Sequence, residues 1–69
     1  MKYTGITESG KTVTIWNDSQ NGKEIWRWAA CYDDGSGKEF DWTPSLATCK
    51  KDAPTIIGRW KRVKDTVNL

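Results

Sequence analysis

The chain has 69 residues, a net charge of +2, no histidine, two cysteines and five tryptophans. Such a length holds one domain at most, because a short chain buries a smaller share of its unfolded surface than a long one. Without histidine, Ser-His and Cys-His nucleophile pairs are excluded, and two cysteines alone make no four-ligand zinc set.

Met1 to Thr7 reads as a weak strand, with Tyr3 and Ile6 its only large apolar residues. Glu8-Ser9-Gly10-Lys11 is a turn, and Thr12-Val13-Thr14-Ile15-Trp16 predicts a strand because it alternates and every residue is a β-former. Asn17 to Gly22 is a turn cluster whose Asn-Gly step supplies the positive φ of a tight hairpin. Glu24 to Tyr32 follows as a Trp-rich strand, expected at the centre of the sheet. After the turn residues Asp33 to Gly37, Lys38-Glu39-Phe40-Asp41-Trp42 alternates apolar with charged residues, as a half-buried strand does. These pieces make an antiparallel meander. Gly-Lys steps at 10, 22 and 37 each leave a turn, enter a strand and are followed by a tryptophan, which is recurrent hairpin grammar rather than a repeat.

Period-two arithmetic puts Trp26, Trp28, Ala30 and Tyr32 on one face of the Trp-rich strand and Ile25, Arg27, Ala29 and Cys31 on the other. Matching apolar sets predicts a core face of Val13, Ile15, Trp26, Trp28, Phe40 and Trp42. Thr12, Thr14, Trp16, Arg27, Glu39 and Asp41 are left outside. A fully buried aromatic ring removes ~150 to 250 Å² from water, roughly 4 to 6 kcal/mol before ordering costs. Three such rings hold a domain of this size, so one or two tryptophans are expected near the surface.

Thr43-Pro44-Ser45 has the composition of a helix start, with Thr43 as N-cap, Pro44 at the first position and Leu46, Cys49 and Ala53 on one face. Pro54 ends that segment. Ile56, Trp60, Val63 and Val67 recur at helical spacing, with Asp52 as a cap, yet Thr55, Ile56, Ile57 and Val63 are β-branched and Gly58 opposes a helix. The fold expected is α+β, a small antiparallel three- to four-stranded meander with a C-terminal helical segment packed on one face. The alternative, with 55–63 as a strand, is an all-β five-stranded SH3-like barrel. The strand-and-helix order resembles, in outline only, small sheet-and-helix DNA-reading domains.

Asp33 with Asp34 lies in a turn and Glu39 with Asp41 on a solvent face, so neither pair reads as an acid/base site, and the chain is not expected to be an enzyme. Asp34-Gly35-Ser36-Gly37-Lys38 resembles a piece of a phosphate-binding loop, but Tyr32 stands where its first glycine belongs and Glu39 where Ser or Thr should hold magnesium. No cofactor or metal is expected. No run approaches the ~20 apolar residues that span a bilayer, so no membrane partner is expected. Met-Lys-Tyr-Thr leads into no apolar signal region, so the expectation is a cytoplasmic protein with Cys31 and Cys49 as free thiols.

Residues 1–49 carry five Lys or Arg against seven Asp or Glu, whereas Lys50 to Lys64 carries six basic residues against Asp52. In that segment Arg59-Trp60-Lys61-Arg62-Val63-Lys64 interleaves an aromatic with four cations, and Lys50 and Lys51 precede it. Cations contact phosphates and exposed rings stack on bases, so this segment, with Trp16 and Arg27 on the outer sheet face, points to a small binding module for nucleic acid. The bland reading is that Trp60 anchors a core and its neighbours are a solvated face. The alternative function is a protein-binding module or small protein inhibitor using Trp16, Arg27 and Tyr32, since Trp, Tyr and Arg dominate binding hot spots.

Overall fold

Hairpin chemistry sets the framework. The computed structural model describes residues 1–63 as strands β1 (Lys2–Ile6), β2 (Thr12–Gln20), β3 (Lys23–Cys31) and β4 (Glu39–Thr43), helix α1 (Leu46–Asp52) and strand β5 (Lys61–Val63). Asn21 and Gly22 have φ of 53° and 77°, so a two-residue turn with both central residues left-handed joins β2 to β3. The polar residues Asn17, Asp18, Ser19 and Gln20, expected in the turn, do not end β2: all four pair with β3, down to Gln20 opposite Lys23. Backbone pairing keeps them extended although their side chains are exposed.

The sheet order is β4-β3-β2-β1-β5, with every pairing antiparallel. The fold is the expected α+β meander with a helix on one face, and the sheet is open rather than closed into a barrel. Among the described residues it has five strands, because residues 55–63 do not form the helix their spacing suggested. Gly58 takes a φ of 73°, the Ile57 N–H donates to the Ile6 carbonyl at 2.8 Å, and Thr7 bridges Ile56, so the β-branched run extends past the end of β1 before β5 pairs with it. Val67 and Lys64 lie outside the described residues.

The N-cap of α1 is Ser45, not Thr43. Its hydroxyl accepts from the Thr48 N–H at 3.2 Å, while Thr43 ends β4 and donates its hydroxyl to the Ser45 carbonyl at 2.7 Å. Lys50 and Lys51 fall in the last turn, where cations suit the helix dipole, and the helix stops at Ala53 before Pro54.

Val13, Ile15, Trp28, Ala30, Cys49 and Ala53 form the buried cluster, with Tyr3, Trp26, Leu46, Ile56 and Trp60 packed around it. Trp28 is only 6% exposed, and its indole N–H donates to Asp52 Oδ2 at 2.9 Å, so Asp52 anchors the core tryptophan instead of capping a second helix. Gly5 lets Ile56 close the β1 side: a Cβ there would meet Ile56 Cδ1 at 2.5 Å and Cγ2 at 2.8 Å.

Candidate functional site

Strand register decides what the uncovered face displays. Trp16 lies opposite Arg27 and Arg27 opposite Trp42, so the three make one row across β2, β3 and β4, and Lys2 extends that row onto β1 opposite Trp16. A second row runs Lys61, Thr4, Thr14, Ala29, Phe40 across all five strands. Alternation puts both rows on the face away from Val13, Ile15 and Trp28, which pack against α1. Among the described residues no helix or strand lies over these rows.

Phe40 and Trp42 were expected in the core, and the register reverses them. Trp28 faces Asp41 and Ala30 faces Glu39, so the acidic residues of β4 lie on the helix side and its aromatics on the open side. Phe40 is 79% exposed and Trp42 49%. Polar partners hold β4 this way round: Lys11 forms an ion pair with Glu39 across β3, and Thr43 is buried with its hydroxyl satisfied. The Lys11 ammonium also sits 5.3 Å from the Tyr32 ring centroid, and hydrogen bonding to Glu39 raises its pKa above the ordinary lysine value. Ile25, not expected to be buried, is closed off on the open side where it shares a cleft with Trp42 and Pro44.

Arg27 is held in its row. Its Nε donates to Asp18 Oδ2 at 2.8 Å, and this bond, with a second from the Ser19 N–H, keeps the Asp18 carboxyl below the ordinary carboxylate range. Beyond β1, Ile6, Ile57, Thr4 and Thr12 line a cleft of about 270 Å³ with Arg59 and Lys61.

Trp16, Arg27 and Lys61 thus share the open face, with Arg59 beside it. The other sequence-selected residues are separated from them. Lys50 packs its ammonium 4.7 Å from the Tyr3 ring centroid, Lys51 is exposed on α1, and Arg62, opposite Tyr3, has the helix-side parity. Lys64 lies outside the described residues. Lys2, Phe40 and Trp42 were missed as surface candidates. The signal was the parity of the β3–β4 connection, which hydrophobic matching overrode.

Asp34 is committed to its turn: the Ser36 hydroxyl and N–H donate to it at 2.7 and 2.9 Å and hold its carboxyl below the ordinary range. Cys49, on the buried face of α1, is fully buried, and burial raises its thiol pKa. Cys31 lies on the open face, and both cysteines are free. Among the described residues no three Cys, Asp or Glu side chains gather as a metal-binding group, and no helix is long and apolar enough to cross a membrane. Comparison with protein-family models, curated proteins and solved structures gives no match.

Proposed function

We propose that this is a non-enzymatic binding domain for nucleic acid, working through the open face of its sheet. The observation that carries the reading is the segregation of charge by strand parity, on a face that also displays aromatic rings. Lys2, Arg27 and Lys61 share that face with Trp16, Phe40 and Trp42, whereas the acidic residues Glu24, Glu39 and Asp41 have the opposite parity. The one carboxylate of the described strands on the open side, Asp18, is bonded to Arg27. Lys2, Arg27 and Lys61 outnumber that carboxylate, and the excess positive charge favours phosphate, while a cytoplasmic setting suits the two free thiols.

The test is binding to labelled nucleic acid over a salt series. Affinity should fall steeply with salt, by a log–log slope of roughly −0.7 to −0.9 per phosphate neutralised, and Lys61→Glu should weaken binding and flatten the slope. No binding at low salt removes the reading. A protein partner is the second reading, supported by the exposed edge of β4, which presents Phe40 and Trp42 beside unpaired backbone. In that case nuclease-treated lysate yields a stoichiometric protein, held through β4 and blocked from its own activity by occlusion.

A further inference from the structure

Resting on the nucleic-acid reading, we infer that the occupant of the open face is a single strand, held by base stacking on Phe40, Trp42 and Trp16 with its phosphates on Arg27, Lys2 and Lys61. Three features of the face lead there.

The first is width. Five strands span four gaps of ~4.8 Å, roughly 19 Å, whereas the major groove of a duplex is about 12 Å wide. The sheet cannot enter a groove face-on. An unpaired strand laid across the sheet meets no such limit.

The second is the kind of surface offered. Phe40 and Trp42 are 79% and 49% exposed, so apolar ring area stands in solvent, although Trp42 also shares a cleft with the buried Ile25. The faces of bases in a duplex interior are already stacked, so among nucleic acids it is unpaired bases that can cover these rings. Phe40 and Trp42 are two residues apart on one strand, about 7 Å, and Trp16 is two strands from Trp42, about 10 Å. Separate bases can therefore occupy separate rings.

The third is the interleaving of charge. Arg27 stands between Trp16 and Trp42, oriented by Asp18, and Lys2 and Lys61 continue the same rows on β1 and β5. A strand whose bases stack over β2 to β4 carries its phosphates past these cations. Stacking supplies affinity without reading sequence, so the site is tolerant of base identity.

The test is fluorescence anisotropy with three labelled probes at one low salt concentration: a short oligothymidylate, the matching oligouridylate, and the duplex of that oligothymidylate with oligoadenylate. Both single strands should bind at least about tenfold more tightly than the duplex. Phe40→Ala should weaken single-strand binding roughly 5- to 150-fold, with the melting temperature unchanged, and Phe40→Tyr should restore it. Trp42→Ala should weaken binding similarly but also lower the melting temperature, because Trp42 packs beside the buried Ile25, and Trp42→Phe should retain most of the affinity. Duplex binding equal to single-strand binding and indifferent to Phe40→Ala overturns the inference but keeps the nucleic-acid reading, provided Lys61→Glu still weakens it. If no probe binds, both fall.

Discussion

On the helix side of the sheet, Trp28 is closed in by α1 and its indole N–H is bonded to Asp52; across the same strands, Trp42 keeps half its surface in solvent. The two residues belong to adjacent strands and differ by one step of register, Trp28 facing Asp41 and Arg27 facing Trp42. Aromatic content therefore does not distinguish core from surface in this protein. What does is whether the residue opposite, and the helix above, give the ring somewhere to go.

The sharpest way to break that comparison is to truncate one ring on each side. Trp28→Ala should cost ~3 to 5 kcal/mol and leave the domain largely unfolded, whereas Phe40→Ala should change stability by no more than about 0.5 kcal/mol. Urea titrations of the two variants decide it, and equal losses would mean that Phe40 is covered in solution. Next in size, Gly5→Ala forces a methyl against Ile56 and should cost about 1 to 3 kcal/mol as overpacking. Adding Ile56→Ala should relieve that clash, so the double variant should be more stable than the sum of the two single losses implies, as a double-mutant cycle reads directly.

A chemical contrast follows the same division of faces. One equivalent of a disulfide-exchange reagent should react with native protein, at Cys31, while Cys49, fully buried and with its thiol pKa raised, should react only when denaturant is added. Rapid reaction of both thiols would show that α1 detaches readily. The smallest effect concerns Asp18. Its carboxyl is held below the ordinary range, so the bond to Arg27 is fully present above the unfolded carboxylate value and is lost as pH falls through the lower folded value. The pair is exposed, so melting should shift little in acid. The Arg27 Nε–H resonance should instead move over that range, and Asp18→Asn should abolish the movement.

Most of the sheet was legible because turn chemistry and alternation agree over residues 10 to 32. Gly10, Gly22 and Gly37 all take the positive φ their turns demand, and Val13, Ile15 and Trp28 fill the core as their parity requires. β4 was misread because apolar matching paired Phe40 and Trp42 with Trp26 and Trp28. The length of the 32–38 connection sets the opposite parity, and a shift of one residue turns every side chain over. The Lys11–Glu39 ion pair that fixes this arrangement joins residues far apart in sequence. The last segment was misread as helical because Ile56, Trp60 and Val63 satisfy that spacing, while in the fold Ile56 and Trp60 pack on the core on either side of a bend at Gly58 and Val63 belongs to β5. For the candidate site, Trp16, Arg27, Arg59 and Lys61 were named from their residue types. Their grouping with Lys2, Phe40 and Trp42 needed the register.

The strand order also sets a sequence of assembly. β2 and β3 meet through a two-residue turn, so their pairing closes almost no loop, whereas β5 pairs with β1 only after about sixty residues of chain are brought round. β5 should dock last and open early, because its pairing closes the longest loop, so amides of Lys61–Val63 should exchange ahead of those of β3. Trp16 and Arg27 stand on the hairpin that closes first and Lys61 on the strand that docks last, which gives the two ends of the open face different lifetimes.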